Sequence, residues 1–124
     1  MDAKELQDRT KKFAVDIINL VKLLPNNRVG WIFTDQIIRS ATSVAANYRA
    51  VSRAKSDKDF IYKIGVVIEE TDETLFWLEM IKEVKLLEIN LEFKRLMSEA
   101  NELISIFVAT SRTIKKRVNQ KSKM

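Results

Sequence analysis

The sequence predicts an all-α protein, an antiparallel up-and-down four-helix bundle. Three observations lead there. Four segments carry apolar residues every three or four positions, the spacing of one helix face. Short breaks separate them. Only two Gly and one Pro occur in 124 residues, far too few turn-formers for a β-protein of this length. Helices of about 22–28 residues, roughly 33–42 Å long and joined by short links, pack side by side in alternating direction. The length fits one domain, and 46% apolar residues are enough for a core.

The first helix is expected over 3–24, with Leu6, Phe13, Ile17, Leu20, Val21 and Leu24 on one face. Pro25-Asn26-Asn27 stops it, because proline cannot continue the hydrogen-bond ladder and asparagine tolerates turn geometry. The second, over 29–53, lines up Ile37, Ile38, Ala41, Val44, Ala45 and Tyr48. Ser56 then reads as an N-cap, with Asp59 in the capping-box position, and Asp57 and Asp59 suit the positive end of a helix dipole. The third helix, over 57–82, carries Phe60, Ile61, Ile64, Val67, Ile68, Leu75 and Leu78. After a break at 85–90, Asn90 is an N-cap candidate. The fourth helix, over 91–118, runs through Phe93, Leu96, Ala100, Leu103, Ile104, Phe107 and Ile114. The bundle thus occupies 1–118, and 119–124 reads as a basic, disordered tail.

The chain has no Cys and no His, which excludes disulfides, thiol nucleophiles, His-based triads, nearly all zinc sites and the Glu-x-x-His di-iron pattern. No Gly-rich phosphate loop occurs, so neither a cofactor nor a small-molecule substrate is expected. No apolar run is long enough to span a bilayer, and no signal peptide opens the chain; a cytoplasmic protein without a membrane partner is expected.

The outer faces carry the functional signal. Opposite the core stripe of the third helix stand Tyr62, Val66 and Trp77, with Phe76 to one side and Glu69, Glu70 and Glu73 nearby. Scattered surface hydrophobics are common, but a monomer gains nothing from this set. We expect Tyr62, Val66, Glu70, Glu73, Phe76 and Trp77 to form an interface with another subunit. On the second helix, small Thr42, Ser43, Ala46 and Ala50 are interleaved with Arg39, Arg49 and Arg53 in an arc of roughly 80° at 100° per residue. That stripe suits either phosphates or salt bridges to the glutamates of another copy.

Charge is unevenly shared. Residues 57–83 hold eight acids and three bases, whereas 112–124 hold six bases and no acid. Arg112, Lys115, Lys116 and Arg117 either complement a helix C-terminus or attract nucleic acid by releasing its counterions. One constellation points to an enzyme. Glu69-Glu70-x-x-Glu73 and Glu99-x-x-Glu102 resemble the magnesium pattern of all-α nucleoside triphosphate pyrophosphohydrolases. The first three carboxylates, and Glu102, point away from the core stripes, so they do not converge on one ion within a subunit.

Two stretches, DQIIRSATSVAANYR and SDKDFIYKIGVVIEETDETLFWLEMI, resemble the 23S rRNA-intervening-sequence four-helix-bundle protein family. The resemblance rests on Gln36, Arg39, Ser40, Ala41, Ser43 and Asn47, then Ser56, Asp59, Phe60, Glu70, Glu73, Trp77 and Leu78. Where many relatives have Glu-Gly soon after the Asn, this chain has Ala50-Val51. The resemblance implies a bundle assembled into a homopentameric ring, similar to the accessory variability protein of diversity-generating retroelements, a basic pentamer that binds nucleic acid. The expected function is therefore a non-enzymatic homo-oligomeric scaffold binding RNA or DNA through basic residues. An oligomeric protein-interaction module is the alternative, and a magnesium-dependent pyrophosphohydrolase a remote one.

Overall fold

A side-chain oxygen opens every helix. In the computed structural model, which describes residues 1–123, Asp2, Asn27, Ser56 and Asn90 each accept the backbone N–H three residues on, from Glu5, Gly30, Asp59 and Phe93. Each such cap satisfies an otherwise orphaned donor and contributes about 1 kcal/mol. The helices are α1 (Ala3–Val21), α2 (Arg28–Val51), α3 (Asp57–Glu83) and α4 (Leu91–Ser122). Asp59 also reaches back, to the Lys55 N–H at 3.1 Å, one residue earlier than a capping box prescribes. The end of α3 is closed by a Schellman motif: Leu86 N–H donates to the Ile81 carbonyl and Lys85 N–H to that of Lys82. Lys85 holds the left-handed position at φ 56° that glycine usually takes.

The four helices form an all-α bundle in which neighbours in sequence are neighbours in space, and α4 closes the ring against α1 along the most thinly packed seam. Pairings confirm the alternating directions: Gln7 meets Ser52, Ser40 meets Thr74, and Arg9 meets Glu99. Phe13, Ile17, Ile37, Ile64, Leu78, Phe93, Leu103 and Phe107 are fully buried at the centre, each contributing about 1.5–3 kcal/mol by leaving water. The α2–α3 seam also buries a polar chain. Thr74 Oγ1 donates to Ser40 Oγ at 2.8 Å, and Ser40 donates to the Ile37 carbonyl at 3.1 Å. The pair fixes the register of the two helices without an orphaned hydroxyl.

Three boundaries differ from expectation by more than one residue. Helix α1 ends at Val21, and Leu24 reaches the core from the turn instead. Helix α2 ends at Val51 where 53 was expected, which leaves Arg53 in the turn that follows it. Helix α4 continues to Ser122, where a disordered tail was expected from 119; the last residue of that tail, Met124, lies outside the described residues. The extension has a cause. Arg117 donates to Asp57 at 2.6 Å and Lys121 lies 3.4 Å from the same carboxylate, so the first residue of α3 holds the last turns of α4. These contacts, led by the Arg117 hydrogen bond, keep the Asp57 carboxyl below its ordinary value.

Ion pairs supply what the α1–α4 seam lacks in apolar packing. Arg9 donates to Glu99 at 2.7 and 2.8 Å and lies 3.0 Å from Glu102. Nearby, Arg95 donates to Asp16 at 2.7 Å and Lys12 does so at 2.8 Å. Burial pushes the Asp16 carboxyl up, but the Lys12 and Arg95 hydrogen bonds together outweigh it and hold the group below 3.8. A carboxylate depressed by folding stabilises the native state above its unfolded pKa, and that contribution is lost as pH falls through the folded value. Acidification from about pH 5 to about pH 2 should therefore cost the wild type more stability than Asp16→Asn. Urea midpoints across that range are the check, and parallel pH profiles would contradict the assignment.

Candidate nucleic-acid interface

The cations singled out from the sequence do not stay together. Arg39 sits halfway along α2, on the side facing α3, where its guanidinium lies 3.5 Å from Glu73. Arg39 is largely in water and Glu73 is about one-third exposed, so the pair contributes at most about 1 kcal/mol. Arg49, by contrast, belongs to the end of α2 that meets the start of α1, and Arg53 lies in the five-residue link between α2 and α3. The C-terminal bases reach the same end, because Arg117 is fastened to Asp57 at the start of α3. One end of the bundle thus gathers Arg49 from α2 and Arg53 from the turn after it with Arg112, Lys115 and Lys116 from α4, all exposed. None of these five forms an ion pair among the described residues, while Arg117 is committed to Asp57.

Most exposed large hydrophobics collect toward the opposite end, where α1 turns into α2 and α3 into α4: Leu23, Val29, Trp31, Ile32, Phe76, Val84 and Leu91. Sequence reasoning passed over Trp31, whose Nε1 donates to Asn26 at 2.8 Å. The run Val29-Gly-Trp-Ile, with Trp31 and Ile32 off the core stripe, was the available signal.

The proposed interface residues of α3 divide. Tyr62 is 72% exposed and Phe76 48%, and Val66 is partly covered. Trp77, expected to point outward, is half-buried within its own subunit. Its ring meets Phe33 of α2 edge-on at 5.2 Å and Phe76 at 5.2 Å. The indole therefore seals the α2–α3 seam, a placement that one helical wheel cannot reveal. Its Nε1, and Oε2 of Glu70, are buried without a hydrogen-bond partner among the described residues. Burial, followed by the charge of Glu73, raises the Glu70 carboxyl above its ordinary range, with Arg39 pulling the other way.

The carboxylates of the magnesium pattern are held apart. Glu99 and Glu102 face Arg9 on the α1–α4 side, whereas Glu70 and Glu73 lie on the α2–α3 side near Arg39. Among the described residues no group of three or more Asp or Glu is placed to hold a metal ion, and no helix is long and apolar enough to cross a membrane.

A crystal structure of a protein of unknown function from the S23 ribosomal protein family of Bacteroides thetaiotaomicron is similar to this fold. It has a TM-score of 0.80 and 29% identity, covering 90% of this chain and 99% of that one. No curated protein sequence matches. The model of the 23S rRNA-intervening sequence protein family matches residues 4–109, nearly the whole bundle and both stretches of α2 and α3 that carry the resemblance. The chain belongs to the 23S rRNA-intervening sequence protein family.

Proposed function

We propose that the chain is a non-enzymatic, homo-oligomeric scaffold that holds RNA or DNA on the basic end of its bundle. The observation that carries this reading is the meeting of two separate basic segments, the end of α2 and the end of α4, at one pole with five unpaired cations. Clustered Lys and Arg neutralise phosphates and release counterions. The oligomeric half is supported by Tyr62 and Phe76, large apolar side chains left exposed on α3, which a second copy would cover. Family resemblance supports a pentameric ring as the assembly. Carboxylates committed to Arg9 and Arg39 argue against a shared magnesium site.

Fluorescence anisotropy with a labelled single-stranded RNA tests the nucleic-acid half. The logarithm of affinity should fall linearly with the logarithm of salt, with a slope of about −3 for contacts of this number. Affinity unchanged between low and moderate salt would remove phosphate contacts and leave a protein-interaction module.

For assembly, Trp77→Asp is a poor probe, because the indole supports its own subunit. Tyr62→Asp and Phe76→Asp are better placed: each should keep the helical circular dichroism yet move the sedimenting particle toward the mass of one chain. An unchanged mass would take the outer face of α3 out of the interface.

A further inference from the structure

Between α1 and α2 runs a groove of about 240 Å³, lined by Gln7, Lys11, Thr42, Ala45, Ala46 and Arg49. Ala45 and the exposed Ala46 line it beside Gln7 and Thr42, and most of its exposed lining is apolar. Lys11 of α1 and Arg49 of α2 both line it, and no carboxylate does. On α1, Lys4 pairs with Asp8 and Lys12 with Asp16, which leaves Lys11 as the cation of that stretch without a partner among the described residues. The volume lies below the roughly 300–1,000 Å³ of small-molecule sites, so it suits one segment of a polymer better than an enclosed metabolite.

We propose that this groove seats the sugar-phosphate backbone of a single nucleic-acid strand, with Lys11 and Arg49 gripping a phosphate from α1 and α2. The proposal rests on the nucleic-acid reading above and adds to it a place and two residues of α1, Lys11 and Gln7. The small side chains of Ala45 and Ala46 let the backbone approach closely, and Gln7 and Thr42 supply uncharged hydrogen-bonding groups beside the cations. From Arg49 the track continues to Arg53, in the turn that follows α2. An acidic helix of a second copy is the competing occupant, and the acids of α3 are the source it would need. Several of these are already engaged at home: Asp57 with Arg117, Asp59 with Lys63 and Glu73 with Arg39. A polyanion from outside is the better complement.

The test is anisotropy with labelled single-stranded RNA and DNA of one mixed sequence, run on the full chain as wild type, Lys11→Gln/Arg49→Gln and Arg112→Gln/Lys116→Gln. A further variant, Ala46→Glu, places a carboxylate at the exposed rim of the groove without touching the core. Circular dichroism and sedimentation accompany each. The groove double variant should bind both probes about tenfold or more weakly at moderate salt and lose about 1.4 units of salt slope, the share of two contacts to a single strand. Ala46→Glu should bind more weakly still, with particle mass unchanged in both. Wild-type affinity in both groove variants, with loss in the α4 pair, would overturn the groove and leave the basic end standing. A fall in particle mass at unchanged affinity would make the groove a seat for another copy and overturn the proposal. No binding by the wild type at low salt would remove the nucleic-acid reading itself and the groove with it.

Discussion

Phe107→Ala should lower the unfolding free energy by about 3–5 kcal/mol. The ring is fully buried and stacks on Tyr48 with centroids 5.5 Å apart at 28°. This contact spans the diagonal from α4 to α2, two helices whose backbones do not meet. Removing the ring leaves a void that no neighbouring backbone is placed to fill, so the cavity cost adds to the lost transfer energy. Domains of this size have only about 5–15 kcal/mol in total, and the variant should melt early but cooperatively. Denaturant unfolding followed by circular dichroism measures it; a loss below about 1 kcal/mol would mean that the bundle centre collapses freely.

The two glycines should respond to alanine with opposite signs. A Cβ on Gly30 would lie 1.9 Å from the carbonyl oxygen of Pro25, a backbone atom that cannot swing away as a side chain would. The α1–α2 turn must then shift, and with it the Asn27 cap that accepts the Gly30 N–H at 3.0 Å. Alanine gains about 1 kcal/mol in helix propensity, but overpacking against backbone costs about 1–3 kcal/mol and loss of the cap about 1 more. Gly30→Ala should be destabilising on balance. At Gly65, in the interior of α3, an added Cβ meets nothing within 4 Å, so propensity acts alone and Gly65→Ala should stabilise by about 0.5–1 kcal/mol. Paired denaturation curves decide the matter, and equal shifts for both variants would refute the close approach at Pro25.

This glycine contrast also marks where sequence reading stops. Periodicity located all four helices because apolar residues that face a common core must recur at helical spacing, as Ile64, Val67, Leu78 and Phe107 do. Ser56 and Asn90 were readable as caps because their side chains act on backbone only three residues away. What could not be read depends on a second element. Gly30 looks like an ordinary helix glycine until Pro25 is folded over it. The indole of Trp77 leaves its own helix on the outward side of the core stripe, and only the position of Phe33 turns it into a seam. The last turns of α4 carry few apolar residues, so nothing periodic announced a helix that Asp57 holds from outside. Among the candidate site residues, Arg49 and Arg53 were legible as a stripe. That they share an end with Arg112, Lys115 and Lys116, while Arg39 stands apart, follows from chain direction in the bundle. Lys11 could not be singled out, because the groove it lines is completed by residues of α2.

Sedimentation velocity of the wild-type chain mixed with labelled single-stranded RNA at low salt bears on both halves of the proposed function at once. The RNA should travel with a particle of several copies and return to its free rate as salt is raised, while the protein stays assembled. A protein that sediments as one chain and leaves the RNA behind would contradict the account.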